Sequence, residues 1–266
     1  MDKRVTKFDE MKIIELKELF KKFEPHITYN ADLRKKNWFN IGGKAKVFFK
    51  AEELKDLLNN KEKIHIIGAG SNILITDEIY DGVIIKLGKN FSRLSILNSD
   101  IIISGTAVLD KKLADYAAQN DLSGFEFLSC IPGSVGGGLK MNAGCFGSEI
   151  KDILISIQAV DKFGNVLTIP AKKINFDYRN NDLSDDLIFL SASFRGKKQN
   201  SKKILETMSK LKNKKDINQP TKIKTGGSTF KNPIKETTKK AWELIIESVP
   251  VDKRFGDACI SKKHSN

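Results

Sequence analysis

The sequence predicts a protein of mixed α and β structure, divided into two or three small units. Three observations carry that reading. Apolar residues recur at helical spacing in some stretches and crowd into short β-like runs in others. Two glycine-rich segments, residues 67–72 and 131–144, interrupt the pattern at points where the chain must turn sharply. The chain has 266 residues and is 40% hydrophobic, enough to bury real cores, which excludes a globally disordered protein.

Taken in order, residues 7–23 place Phe8, Met11, Ile14, Leu19 and Phe20 at helical spacing. From Val47 the pattern becomes strand (47–50), helix (51–59) and strand (64–67). Short β-like runs follow at 82–87, 91–97 and 101–104, and a helix at 108–119 leads into the second glycine-rich segment. Strands are expected at 153–160, 166–169 and 187–194, punctuated by the turn Phe163-Gly164-Asn165. After Arg195 the composition shifts toward lysine and asparagine, which marks the approach to another unit. That unit carries helices at 203–211 and 239–248, and on the second of these Trp242 is expected in the core beside Leu244 and Ile245.

Composition removes several function classes. No apolar run approaches the roughly 18–20 residues of a membrane span, and residues 1–10 are too charged for a secretory signal. Cys130, Cys145 and Cys259 show no CxxC spacing, which fits reduced thiols in a cytoplasmic protein. His26, His65 and His264 are dispersed, so no metal site is assigned. The net charge of +13 invites a nucleic-acid reading, but the excess is scattered lysine. The densest basic run, 195–224, contains no aromatic residue on which a base could stack, and its Ile204, Leu205, Met208 and Leu211 read as the docked stripe of a helix. The expected partner is an anionic small molecule, with neither nucleic acid nor membrane involved.

In the first glycine-rich segment a buried strand runs into Ile67, Gly68, Ala69, Gly70, Ser71 and Asn72. Paired glycines bring backbone N–H groups within reach of phosphate oxygens, and Ser71 and Asn72 add side-chain donors. An ordinary tight turn has the same composition. The nicotinamide fingerprint is not met, because the third glycine position holds Ile73 and residues 73–75 read as a strand. A Walker loop fails too, since Gly43-Lys44 is followed by Ala45. The second segment sets Gly133, Ser134, Gly136, Gly137, Asn142, Ala143 and Gly144 in one short run. So many glycines cost chain entropy unless the backbone approaches something closely. A purely structural loop is the alternative, but Ser134 and Asn142 among glycines suit a pyrophosphate or a flavin ring better.

These loops belong to an ordered series: Asn37-Trp38-Phe39-Asn40-Ile41-Gly42-Gly43, then 68–72, 131–147, Tyr178-Arg179, Gln219-Pro220, Gly227-Ser228-Thr229-Phe230-Lys231-Asn232-Pro233 and 261–266. The series resembles the UDP-N-acetylenolpyruvoylglucosamine reductase family, in the class that lacks an extra substrate-covering loop. The resemblance implies an α+β protein: an FAD-binding core of the vanillyl-alcohol-oxidase (PCMH) type in two subdomains, then a C-terminal α/β substrate domain. The implied boundaries are an N-terminal helical segment at 1–33, the FAD domain at 34–198 and the substrate domain at 199–266. It further implies that NADPH reduces FAD, and that hydride passes to C3 of an enolpyruvyl UDP-sugar while a proton goes to C2, in peptidoglycan synthesis. Charge then accumulates on C2 and the carboxylate, and a catalyst must stabilise it.

By the same resemblance Arg179 contacts the substrate carboxylate, and a stabiliser of this kind is typically worth ~3–4 kcal/mol. Alone, Tyr178-Arg179 would read as a surface ion pair. Ser228 is implied as the proton donor to C2, though Gly226-Gly227-Ser228 also has turn composition. Tyr178 and Asn232 are implied as substrate-positioning groups. Two departures stand out: Asn181 replaces a serine two positions after the arginine, and Trp38 replaces a threonine. The resemblance also implies further chain after the 261–266 motif, with a catalytic glutamate that no residue here is assigned to replace. The alternative expectation is therefore a truncated FAD-binding relative with little or no activity.

Overall fold

The structure, a computed structural model, describes residues 26–53, 64–218, 226–250, 252–261 and 264–266. The helix expected at 7–23 and most of the one expected at 51–59 lie outside these residues. Two sheets organise the described chain. The first has the order β1 (Ile27–Asp32), β2 (Lys44–Ala51), β4 (Ile79–Leu87), β3 (Ile64–Ile66). β1 pairs antiparallel with β2, while β2 and β3 both run parallel to β4. Parallel strands are covered on both faces, and so are these. Val47, Phe49, Val83 and Ile85 pack on one side, and Ala45, Phe48, Ile67 and Ile84 on the other.

The second sheet is antiparallel throughout, in the order β8 (Val166–Pro170), β7 (Leu154–Val160), β9 (Ile188–Arg195), β6 (Ile101–Gly105), β5 (Leu94–Leu97). Helices α1 (Asp110–Gln119), α2 (Val135–Lys140) and α3 (Ser201–Asn218) contribute Leu113, Leu139, Ile204 and Met208 to its large apolar cluster. Within that cluster Phe125 and Phe194 meet edge to face at 6.3 Å. Val160 of β7 and Ile188 of β9 cross over to join the cluster on β2 and β4, so one apolar core connects both sheets. No helix among the described residues is long and apolar enough to cross a membrane.

The structure departs from the sequence expectations at several places, one being the strand expected at 91–97, which begins only at Leu94 after a 3-10 turn at Lys89–Phe91. α3 extends to residue 218, past the expected end at 211, and its buried stripe is narrower than expected because Leu205 faces solvent. Residues 73–76 pair with no strand. Ile73 and Ile75 pack partly against the core of the first sheet, and the Thr76 carbonyl accepts from Gly43 N–H. A helix, α2, occupies the glycine run Val135–Lys140 that reads as loop. Trp242 on α4 (Ala241–Ser248) is 39% exposed, and the buried residue of that helix is Ala241.

Candidate active site

The first glycine segment leaves β3 at Ile67, whose N–H is tied to the Ile85 carbonyl at 2.9 Å. Gly70 adopts φ +72°, and a Cβ there would strike the Lys36 carbonyl and lie 2.9 Å from Asn37 Cα. Only glycine fits this approach. The Gly70 carbonyl accepts from Trp38 N–H at 2.9 Å, and Asn37 braces its own loop through bonds to the Leu33 and Ile41 carbonyls, both 2.8 Å. The motif 37–43 is thus the wall that shapes the 67–72 turn.

The second segment is laid on the end of β6. Val135 N–H and Gly136 N–H donate to the Val108 and Thr106 carbonyls, and Asp110 N–H donates to the Gly133 carbonyl. This places Ser134 against the first segment. A Cβ on Gly68 would collide with Ser134 Oγ and lie 3.9 Å from Gly137 N. The two segments therefore meet, 66 positions apart in sequence, with bare backbone on one side and a buried hydroxyl on the other. Ser134 Oγ makes no hydrogen bond within the described residues. Such a group is costly to leave unmet. Gly137 has no neighbour closer than 3.7 Å on its Cβ side, so the protein itself does not demand glycine there. An orphaned hydroxyl and an unencumbered glycine at the junction fit a polar ligand reaching the backbone, as a dinucleotide pyrophosphate would.

Asn142 plays a different part. It is fully buried, and its side chain is spent within the protein: Nδ2 donates to Glu149 Oε2 at 3.0 Å and to the Asp177 carbonyl at 3.2 Å, while Oδ1 accepts from Lys151 N–H at 3.2 Å. It ties the end of the glycine segment to the hairpin that carries Tyr178 and Arg179. In that hairpin Phe176–Asp177 pairs with Asn180–Asn181, leaving Tyr178 and Arg179 as the two turn residues, with Arg179 at φ +56°. Arg179 donates to the Gly144 carbonyl at 2.7 Å and the Asn142 carbonyl at 3.4 Å, and lies 5.3 Å from the Tyr178 ring. Asn181, in place of a serine, is long enough to reach the Leu139 and Lys140 carbonyls (both 3.0 Å) at the C-terminal end of α2. Asn181 thus satisfies carbonyls at the end of α2, while Arg179 sets its positive charge against carbonyls of the segment that follows.

The 226–233 segment docks on this hairpin. Asn232 donates to the Tyr178 hydroxyl through Nδ2 at 3.1 Å and accepts from Ala241 N–H at 3.0 Å, and Lys235 faces Asp177 at 3.8 Å. A Cβ on Gly226 would lie 2.5 Å from the Phe39 ring, so the segment also rests on the 37–43 motif. Ser228, two positions on, is exposed. Arg179, Tyr178, Asn232 and the 142–144 end of the second segment thus form one connected network. The 68–72 turn touches the second segment at Ser134 by packing alone. Reading the sequence missed Glu149, which anchors Asn142, and Asp110, which lies fully buried behind the second segment.

The FAD binding domain family matches residues 51–170, which hold both glycine segments. A crystal structure of UDP-N-acetylenolpyruvylglucosamine reductase (MurB) from Thermus caldophilus superposes with a TM-score of 0.78 at 29% identity, covering 90% of this chain and 85% of that one. The class is that of FAD-dependent oxidoreductases with an α+β core of the PCMH type. The UDP-N-acetylenolpyruvoylglucosamine reductase C-terminal domain family matches residues 219–266. The reductase of that name from Pelagibacter ubique is 60% identical over 262 residues, covering 96% of this chain and 87% of the relative. The one from Rickettsia conorii is 45% identical over 241 residues, covering 88% and 80%. The chain belongs to the UDP-N-acetylenolpyruvoylglucosamine reductase family.

Proposed function

We propose that the chain reduces UDP-N-acetylglucosamine enolpyruvate to UDP-N-acetylmuramate, using NADPH, in the cytoplasmic stage of peptidoglycan synthesis. The observation that carries the reading is the network in which Arg179 and Tyr178 join the 142–144 backbone to Asn232. It sets cationic and hydrogen-bonding groups between a dinucleotide cradle and the segment bearing Ser228. Ile67, Gly68, Ala69, Gly70, Ser71 and Asn72 form one wall of the FAD cradle. Gly133, Ser134, Gly136 and Gly137 form the other, with Asn142, Ala143 and Gly144 fixing its far end. Bound FAD supplies a two-electron carrier able to take hydride from NADPH and pass it to C3.

The chain's own residues hold the substrate and manage charge. Arg179 polarises the carboxylate conjugated to the double bond, so negative charge arriving at C2 is met by a planar cation. Its bonds to two carbonyls fix the guanidinium before substrate arrives, which lowers the reorganisation needed later. Tyr178 and Asn232 orient the sugar portion. Ser228 gives its proton to C2, and solvent restores it. The expected units, 1–33, 34–198 and 199–266, are redrawn on this reading: β1 pairs with β2 and Ile204 and Met208 of α3 enter the second sheet's core, so residues 27–218 make the cofactor-binding unit and 226–266 carry the substrate-binding segment.

An anaerobic titration tests this. The purified protein should show a flavin absorption band, bleach with NADPH and regain the band when enolpyruvyl-UDP-N-acetylglucosamine is added. Bleaching without substrate-driven recovery would refute the substrate assignment. In Ser228→Ala the recovery should slow severely, and unchanged kinetics would remove Ser228 from its role.

A further inference from the structure

Asp110 is a carboxylic acid in an unusual place. It is the first residue of α1, where an acidic side chain ordinarily faces solvent and the free N–H groups of its own first turn. Here it is fully buried, and neither carboxyl oxygen makes a hydrogen bond within the described residues. The carboxyl lies behind the second glycine segment. Oδ2 is 2.5 Å from where a Cβ on Gly133 would stand, and Oδ1 is 3.3 Å from the equivalent point on Gly138. Larger residues at 133 or 138 would collide with it, so glycine and aspartate are fitted to each other across the segment. Between those two glycines lies Ser134, the residue that meets Gly68 of the first segment.

Among the described residues no countercharge faces the carboxyl, and Lys112, two positions on along α1, is exposed. On α1 itself Lys111 pairs with Asp115 at 2.6 Å. On the turn 126–130, Glu126 accepts from Gly124 N–H and Cys130 is a buried thiol. On α2, Lys140 pairs with Asp185 at 2.6 Å, and on α3 Lys215 donates to the Cys130 carbonyl at 2.7 Å, while the other charged residues of α3 are exposed. Beyond Gly138, Glu149 and Lys151 pair with each other at 2.7 Å. Burial alone therefore acts on the carboxyl, and it raises the pKa to about 7.

We propose that Asp110 is a positioning residue that couples FAD binding to uptake of a proton, through the glycine segment it supports from behind. The proposal rests on the reading that residues 67–72 and 133–137 form the FAD cradle. A pyrophosphate in front of the segment and a carboxylate behind it are like charges separated by backbone, with no cation of the described residues paired to the carboxylate. Binding the anion therefore favours the neutral acid, and by linkage the neutral acid favours the anion. FAD affinity falls as Asp110 ionises.

The test uses holoenzyme diluted at several values between about pH 6 and pH 9, with released flavin read by fluorescence. In the wild type the dissociation constant should rise on the order of tenfold across that range, the effect of about one pKa unit of coupling. Asp110→Asn, a neutral isostere, should give a flat profile. Rebinding FAD in weak buffer near pH 7 should take up a fraction of a proton in the wild type, reported by an indicator dye, and this measurement stands if the variant fails to fold. A flat wild-type profile, zero proton uptake, or a variant as pH-dependent as the wild type would each overturn the proposal. Gly68→Val tests the cradle separately, since it should release flavin at every pH. Wild-type affinity in that variant would overturn the cradle reading and not the buried acid.

Discussion

Gly68→Ala is expected to disturb Ser134 and, through it, flavin binding. A Cβ at residue 68 would sit inside the 3.0 Å that real Cβ atoms keep from their neighbours, yet the atom it meets is one hydroxyl oxygen, and Ser134 Cβ is 3.7 Å away. Ser134 is 5% exposed, so its hydroxyl can yield only by leaving its rotamer or by shifting backbone. Strain of this kind costs about 1–3 kcal/mol. That amount corresponds to roughly 5- to 150-fold in the FAD dissociation constant if the displaced segment is what grips the cofactor. Ser134→Ala removes an oxygen that bonds to nothing in the protein, so stability should hold and flavin binding should weaken by about 1 kcal/mol. In the double variant the added methyl meets the Cβ of residue 134 at 3.7 Å and Gly137 N at 3.9 Å, both ordinary contacts. The penalty of Gly68→Ala should then vanish. Thermal denaturation and flavin-fluorescence titration of the four proteins measure the cycle. If the two single costs add to within about 0.5 kcal/mol, residues 68 and 134 do not touch and the reasoning fails.

Gly70→Ala should cost about 2–4 kcal/mol, combining a left-handed residue with a clash against the Lys36 carbonyl, and chemical denaturation would measure it. For Asp110 the native pKa of about 7 lies above its ordinary 3.8, so the stability its proton confers is complete below about pH 4 and is lost as pH rises through about 7. Between pH 5 and pH 8 this group should lower wild-type stability by about 2–3 kcal/mol, and Asp110→Asn should abolish that part of the slope in urea unfolding. Tyr178→Phe removes the oxygen that receives Asn232 Nδ2 at 3.1 Å. KM for the UDP-sugar should rise roughly fivefold with kcat little changed, as steady-state kinetics would show, because about 1 kcal/mol of positioning is lost.

Much of this architecture was legible because its strands are dense in isoleucine, valine and phenylalanine. The expected strands at 153–160, 166–169 and 187–194 reappear within a residue as β7, β8 and β9. α2 was hidden because three glycines in Val-Gly-Gly-Gly-Leu-Lys argue against a helix on propensity. They are accepted because Gly136 packs against Thr106, and a Cβ on Gly138 would lie 2.6 Å from Ile150. Tertiary crowding overrode local preference there. In the site, Arg179, Tyr178 and Asn232 could be named from their motifs, but their link through a shared hydroxyl could not, since 54 positions separate Tyr178 from Asn232. Polar residues among glycines suit anions, which makes Asn142 a ligand candidate from sequence; that its amide also holds the hairpin depends on partners 7 and 35 positions away and carries no sequence signal. Asp110 gave no signal because an acid at the start of a helix normally complements the dipole.

The core that Val160 and Ile188 share with β2 and β4 has a kinetic consequence. Because that apolar contact spans both sheets, the walls bearing residues 68 and 134 are held at their working distance by the fold itself. A dinucleotide arriving from solution meets two segments already in contact and has none to draw together. Loading should accordingly proceed in a single step, its rate rising in proportion to flavin concentration without reaching a plateau set by closure. The same stiffness means that the two segments, once the cofactor is released, stand where they stood before it bound.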